Sequence, residues 1–184
     1  MLNVIEITFE YFKQNIYEKY EELFSDDEQR SLKKLEKTYI CGIEKIYKIT
    51  LDNVTIGFFM IEKIDGYPYF LDYFAIFNEF QNKGYGTEAL KLILENIVKK
   101  DKLIGEIEKE DDKNLITHRR YEFYRRLGFK KTKSEYFMYN VFYEPIIYPK
   151  SSKISKNKLD KIFFEYYKLN SGEEGVKKYC KIIK

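Results

Sequence analysis

The chain has 184 residues, of which 44% are hydrophobic and 18% aromatic, so it can bury one substantial core and is not a disordered polymer. One histidine and two cysteines cannot supply the full ligand set of a structural zinc site without carboxylates. A net charge of +3 does not indicate nucleic-acid binding, and charged residues interrupt the longest apolar runs, so we expect neither nucleic acid nor a membrane as partner.

The first third of the chain predicts helices followed by a hairpin. Apolar side chains recur at three- and four-residue spacing after an alternating N-terminal segment, and Asp52–Asn53 supplies a turn between two apolar runs. The predicted elements are a strand at 1–8, a helix at 9–24, a short helix at 25–37, and strands at 43–50 and 56–64. Because Met1–Glu6 meets a charge before any apolar run and the cysteines lie far apart, we predict a cytoplasmic protein.

The middle of the chain alternates strands and helices. Residues 69–77 are so apolar that we expect a central strand buried on both faces. The elements predicted after it are a helix at 84–100, a strand at 102–108, a helix at 111–127 ended by Gly128, and one or two strands within 129–143. This alternation implies parallel pairing at the centre of the sheet.

The composition changes after Pro145. Residues 149–153 form a polar linker, and apolar side chains at helical spacing then mark a terminal helix: Leu159, Ile162, Phe163 and Tyr166. We therefore predict a domain at 1–149 and a helical appendage at 150–184. The aromatic side chains of this helix either pack on the sheet or meet a second subunit, so a homodimer is one of two predictions.

The turn between the buried strand and the next helix has a pattern suited to binding anions. It reads Gln81–Asn82–Lys83–Gly84–Tyr85–Gly86–Thr87. A helix N-terminus exposes unpaired backbone N–H groups, glycines let the backbone approach a pyrophosphate, and Lys83 adds positive charge. The turn lacks both the Lys-Ser/Thr of a Walker loop and the third glycine of a dinucleotide fingerprint. An ordinary loop, whose glycines only relieve crowding, explains this segment alone equally well.

A second segment decides between these interpretations. It contains Phe123–Tyr124–x–x–Leu127–Gly128–Phe129. Together with Gln81–x–x–Gly84–x–Gly86, it resembles the two cofactor motifs of the GCN5-related N-acetyltransferases, the GNAT family. The resemblance covers about residues 1–143 and makes 1–149 the acetyltransferase domain. It implies an α/β (α+β) fold with a mixed, mostly antiparallel central sheet, a parallel splayed strand pair and flanking helices.

The resemblance implies an enzyme that transfers an acetyl group directly from acetyl-CoA to a primary amine in a ternary complex, without a metal. The acceptor would be a small-molecule amine or an amine of a peptide or protein. Strand residues Phe74, Ala75 and Ile76 would line the pantetheine and the thioester. The other cofactor-binding residues that it implies are Gln81, Asn82, Lys83, Gly84, Tyr85, Gly86 and Thr87 in the loop, with Thr117 and Phe123 in the later helix. Thr117 stands where relatives often carry an asparagine, which its hydroxyl replaces only in part.

Three side chains are candidates for proton transfer. The resemblance assigns Tyr124 as the acid that protonates the departing thiolate, and a core tyrosine is the alternative. Glu106 and Glu108 share one face of a strand, and Glu106 matches the catalytic glutamate of some relatives, so both are candidates for the base; an exposed acidic strand end explains them equally well. Asp72 and Glu144 are expected to attract a cationic acceptor. The alternative function is a catalytically inactive acetyl-CoA-binding or protein-interaction module.

Overall fold

A computed structural model describes residues 1–111 and 113–183, and they form two compact units. The first unit consists of Met1–Ile64 and Leu71–Asp101. The second consists of Asp65–Phe70 and the described residues from Lys102 onward. The chain therefore passes from one unit to the other inside a single strand.

The first unit is an antiparallel sheet with helices. Its elements are β1 (Leu2–Ile7), α1 (Phe9–Asn15), α2 (Tyr17–Leu23), α3 (Leu32–Ile40), β2 (Glu44–Leu51), β3 (Val54–Glu62), most of β4 (Tyr69–Ile76), a 3-10 turn (Asn78–Phe80), α4 (Tyr85–Ile93) and a π-helical turn (Leu94–Val98). The strands follow the order β1-β2-β3-β4, with antiparallel pairing of β2 to both β1 and β3. Asp52 and Asn53 have positive φ values of 48° and 71°, as a two-residue hairpin turn requires, so the predicted hairpin is confirmed.

The helices of this unit are shorter than predicted. The helix expected at 9–24 is divided at Ile16, whose φ of −128° leaves the helical region. This break lets Phe12 of α1 and Tyr20 of α2 both be fully buried, with ring centroids 6.0 Å apart. The short helix expected at 25–37 begins only at Leu32, and the helix expected at 84–100 changes to a π-turn closed by a 2.7 Å hydrogen bond from Lys99 N to Leu94 O.

The core of the first unit is aromatic. Phe12, Tyr20, Phe58 and Tyr73 contact one another in tilted and edge-to-face geometry, with centroid distances from 5.0 to 6.3 Å. Aromatic pairs in such geometry add stability beyond the area that they bury. The side chains of α1 and α2 thereby fix the position of β3 and of the second half of β4.

The second unit contains a sheet with one parallel pair. Its elements, besides the first two residues of β4, are β5 (Leu103–Glu108), α5 (Leu115–Arg126), β6 (Lys130–Lys131), β7 (Tyr136–Met138), β8 (Val141–Tyr148), α6 (Lys156–Tyr179) and β9 (Cys180–Ile182). Its strand order is β4-β5-β8-β7-β9, with β6 also on β8. The β4–β5 pair is parallel. The pairs β5–β8, β6–β8, β7–β8 and β7–β9 are antiparallel. The predicted mixed, mostly antiparallel sheet with one parallel pair and flanking helices is confirmed.

Helix α5 is fixed at both ends by local residues. Asn114 accepts a hydrogen bond from Ile116 N at 3.1 Å, so the helix begins four residues after the predicted start at Asp111. Gly128 has a φ of 89°, which confirms its predicted role beyond the C-terminus of the helix.

The terminal helix α6 packs on the sheet of the second unit. Its buried apolar residues include the four that the spacing predicted, and Phe163 contacts the rings of Phe70 and Tyr136 at 5.6 and 5.2 Å. Of the two predicted arrangements for these aromatic side chains, packing within the chain is the one observed. The division between residues 149 and 150 as a domain boundary stays a prediction. Within the described ranges, no helix is both long and apolar enough to cross a membrane.

Candidate functional site

The second half of β4 is the first part of the candidate site. Parallel pairing of β4 with β5 joins Tyr69 to Leu103 and Phe70 to Ile104, and the residues from Leu71 onward lie outside it. Phe74 and Ala75 are half-buried, so the prediction that this strand is buried on both faces was wrong for this half. On the β5 side, parallel pairing accompanies only the start of β4.

Gly57 of β3, which belongs to neither cofactor motif, limits how β4 can be placed. A Cβ atom on Gly57 would lie 2.3 Å from Ala75 O and 3.1 Å from Ile76 Cα. Any side chain here would therefore displace the backbone of β4 at the residues predicted to line the thioester. Hydrophobic β3 residues surround Gly57, and only the approach of two backbones explains a glycine among them.

A run of unpaired backbone donors follows β4. Phe77 N donates to Ile56 O at 2.8 Å, and Thr87 N donates to Gly84 O at 3.0 Å. Between them, within the residues that the structure describes, the N–H groups of 82–86 donate to no other protein atom. Asn82 and Gly84 adopt left-handed conformations, with φ of 62° and 87°. Consecutive free N–H groups at a helix start are a backbone arrangement that suits an anion.

The side chains of this loop hold its shape. Gln81 Nε2 donates to Ile76 O at 2.9 Å and to Asn78 Oδ1 at 3.0 Å, which ties the loop to the end of β4. Lys83 Nζ donates to Glu79 O at 2.9 Å, beside the loop. The residues predicted to bind pyrophosphate, 82–87, thus lie together in one turn, and Tyr85, Gly86 and Thr87 form the first turn of α4.

The two candidate bases on β5 have different partners. Glu106 and Glu108 are half-buried on either side of the buried Ile107, as the alternation of a strand requires. Glu106 Oε1 accepts a hydrogen bond from the hydroxyl of Tyr167 on α6. Glu108 Oε2 instead accepts one from Arg120 Nη1 of α5 at 2.9 Å. The two carboxylates were both candidates for the base in the sequence, and in the structure they have different hydrogen-bond donors.

Tyr124 of α5 is chemically suited to donate a proton. Burial raises the pKa of its phenol to about 12, so the hydroxyl keeps its proton at neutral pH. The ring packs edge-on against Phe123 and Phe129, with centroid distances of 5.0 and 5.3 Å. Tyr124 is half-buried, and among the described residues none forms a hydrogen bond with its hydroxyl.

Both cofactor motifs fall inside a match to a known family. Residues 42–131 match the model of the acetyltransferase (GNAT) domain. The chain carries a GNAT acetyltransferase domain. The family implied by the two motifs is thereby confirmed, and the domain assigns the chain to the acyltransferase enzymes.

Solved structures share the fold of this GNAT domain. A protein from Bacteroides thetaiotaomicron named for the GNAT family superposes with a TM-score of 0.78 at 23% identity, over 92% of this chain and 98% of that one. The ribosomal-protein-S18-alanine N-acetyltransferase from Escherichia coli gives 0.61 at 15% identity, over 85% and 98%. A spermidine N-acetyltransferase chimera that includes the Vibrio cholerae protein gives 0.59 at 17% identity, over 79% and 93%. A comparison with curated proteins found no significant match.

Thr117, predicted to contact the coenzyme of this GNAT domain, has a structural task at the start of α5. Its buried hydroxyl donates to Asn114 O at 2.8 Å and accepts from Asp111 N at 3.0 Å. The single proton of the hydroxyl is therefore used within the protein. Only an acceptor lone pair is left for a coenzyme, so its predicted role is narrower than that of the asparagine it replaces.

Asp72 and Glu144, expected to attract a cationic acceptor, already pair with cations of the protein. The guanidinium of Arg30 forms ion pairs with Asp72, Glu44 and Glu62, all inside the first unit. Lys131 Nζ pairs with Glu144 at 2.5 Å in the second unit. Sequence spacing does not reveal ion-pair partners so distant along the chain, and the expectation that these two acids attract an acceptor stays a prediction. Burial raises the pKa of Asp72 to about 7 against the opposing effect of Arg30.

Proposed function

We propose that this chain is an acetyl-CoA-dependent N-acetyltransferase that moves an acetyl group to a primary amine by direct transfer in a ternary complex. The observation that carries this proposal is the run of free N–H groups at residues 82–86, directly after a strand that leaves its parallel partner at Leu71. Consecutive N–H groups can bind a pyrophosphate, and a strand edge can form hydrogen bonds with the amide groups of an extended ligand.

Three parts of the chain are proposed to contact acetyl-CoA: the loop before α4, the second half of β4, and α5. The loop N–H groups would hold the pyrophosphate, and the backbone from Phe74 to Ile76 would pair with the pantetheine arm. When bound, acetyl-CoA supplies the acetyl group as an activated thioester. Phe123, beside Tyr124, and the remaining hydroxyl lone pair of Thr117 are proposed as further coenzyme contacts on α5.

Two side chains are proposed to move protons. Glu106 removes a proton from the acceptor ammonium, so that the nitrogen lone pair can attack the thioester carbon. Tyr124, whose phenol stays protonated at neutral pH, donates its proton to the thiolate that leaves. The second proton, which the nitrogen loses as the amide forms, restores the phenol of Tyr124. Glu108 is the less suitable base, because Arg120 already engages it.

The acceptor is proposed to be a primary amine of a small molecule or of a peptide or protein. The names of two structural relatives, one specific for a ribosomal-protein alanine and one for spermidine, illustrate both classes. A cytoplasmic location and a homodimer stay predictions. Light scattering of the full chain checks the second, since a monomeric mass at all concentrations would contradict it.

The proposal is tested by measuring thiol release from acetyl-CoA with a panel of polyamines, aminoglycosides, amino acids and peptide N-termini. We expect acceptor-dependent release, a loss of about 100-fold in Glu106→Gln, and little loss in the matched variant Glu108→Gln. Binding of acetyl-CoA without transfer to any amine would favour the inactive binding module. Absence of binding would overturn the proposal altogether.

A further inference from the structure

Helix α6 brings a side chain to the candidate base from the far end of the sequence. Tyr167 and Glu106 are 61 positions apart, and the hydroxyl of Tyr167 donates to Glu106 Oε1. Both residues belong to the second unit and both are half-buried. A hydrogen bond from a neutral donor to a carboxylate favours the ionised carboxylate and fixes its direction.

The ring of Tyr167 is held in place by its neighbours. Its centroid lies 6.4 Å from that of Phe70 on β4 and 6.5 Å from that of Tyr139 in the turn after β7. The hydroxyl of Tyr139 in turn hydrogen-bonds Ser171 of α6. Packing against β4 and against the turn after β7 therefore restricts where the Tyr167 hydroxyl can point.

Other titratable groups surround Glu106 on this side of the sheet. The negative charge of Glu106 contributes to raising the pKa values of three groups on neighbouring elements, although burial is the larger cause for each: Tyr136, Tyr139 and Cys180. Glu108, on the same strand, is paired with Arg120. Lys181 of β9 lines a small cleft beside Tyr167 together with Phe163 and Phe164. Tyr167 donates a hydrogen bond to the carboxylate itself.

We propose that Tyr167 is a positioning residue of the active site, which aims the Glu106 carboxylate and keeps it ionised for proton removal from the acceptor amine. The inference rests on the proposed function for the role of Glu106. It makes the C-terminal helix a part of the catalytic apparatus. In the step itself, the N–H bond of the acceptor ammonium breaks, its proton passes to Glu106, and Tyr167 keeps its own proton.

The test compares Tyr167→Phe with the unchanged full chain over a range of pH. Because the lost donor stabilised the ionised carboxylate, the rising limb of the kcat/KM profile should move to higher pH by about one unit. The matched control is Tyr166→Phe on the same helix, which removes a 2.5 Å hydrogen bond to Pro68 O. That variant should lose stability but leave the limb in place. If the kcat/KM profile rises at the same pH in Tyr167→Phe and in the unchanged chain, the inference is overturned.

A second readout does not depend on turnover. The carboxyl carbon of Glu106, labelled with ¹³C and assigned by its absence in Glu106→Gln, is titrated by NMR in both chains. A midpoint that rises in Tyr167→Phe but not in Tyr166→Phe supports the positioning role, even where no amine is acetylated and the proposed function has failed. An unchanged midpoint beside normal transfer activity contradicts the positioning role and leaves the proposed function standing.

Discussion

The loop before α4 and the surroundings of Glu106 on β5 are built in opposite ways. The loop offers backbone N–H groups, and its shape depends on residues 81–84 and their immediate neighbours. The surroundings of Glu106 consist of side chains from β5, α6 and the turn after β7, which meet only after folding. A backbone site can thus be inferred from a short motif, whereas a side-chain site requires the tertiary structure.

The largest effect is expected from a side chain on α5, at Tyr124. Tyr124→Phe removes the proposed acid, so kcat should fall about 100-fold while the KM for acetyl-CoA changes little. Since this hydroxyl bonds to no described residue, chemical unfolding should show a stability within about 1 kcal/mol of the unchanged chain.

The control for this experiment is Tyr121→Phe on the same helix. Tyr121 is half-buried, and Lys131 Nζ lies 4.4 Å from its ring, which phenylalanine retains. Steady-state kinetics of this variant should match the unchanged chain. A normal kcat in Tyr124→Phe would contradict the role of Tyr124 as the acid and leave it as a core tyrosine.

A second effect concerns the charges that support β4. Asp72 has a folded-state pKa of about 7, above the ordinary value near 3.8 that the unfolded chain has. Between these pH values the folded protein retains a proton that the unfolded chain releases, so this contribution to stability is present at low pH and is lost as pH rises through 7. Relative to Asp72→Asn, the unchanged chain should lose up to about 1.4 kcal/mol per pH unit in this window.

Urea unfolding of both proteins at several pH values from 4 to 8 measures this difference. Asp72→Asn also weakens the pairing with Arg30, so its stability at a single pH is not informative. The slope of the difference is the informative quantity. A difference that is constant with pH, or that changes in favour of the unchanged chain as pH rises, contradicts the account of this cluster.

A smaller effect is expected from the backbone part, at Gly57. Gly57→Ala places a methyl group against Ala75 O and must shift β4, so the affinity for acetyl-CoA should fall about tenfold. Gly42→Ala is the control, because a Cβ there meets no atom within 4 Å. Calorimetric Kd values that are equal for both variants would show that the position of β4 does not matter for coenzyme binding.

The sequence predicted the main elements because local patterns determine them. The hairpin at Asp52–Asn53, the strand β5 and the end of α5 at Gly128 each depend on turn residues or alternation within a few positions. The interruption at Ile16 was not predicted, since the helical spacing of apolar residues continues through it. Phe12 and Tyr20, one on each side of the interruption, are both fully buried, and no residue at the interruption marks it in the sequence.

Only part of the candidate site was predictable from the sequence. The motif residues from Gln81 to Thr87 were found because their spacing sets the loop conformation. Arg30 and Tyr167 were missed, because their partners lie far along the chain and no local pattern marks them. Gly57 was missed as well, although its surroundings in the sequence are informative. Within strand β3, a glycine among large apolar residues was the one signal in the sequence that another backbone approaches closely.

The most direct test of the account is calorimetric titration of the full chain with acetyl-CoA, repeated with Gly84→Ala and Gly42→Ala. Both glycines have positive φ, 87° and 71°, and open space around a Cβ, so alanine strains the backbone alike at both. We predict binding of acetyl-CoA and CoA but not ATP or NADH, an affinity about tenfold weaker in Gly84→Ala, and no change in Gly42→Ala. No binding to the unchanged chain, or equal affinity in both variants, would contradict the claim that the loop before α4 binds the coenzyme.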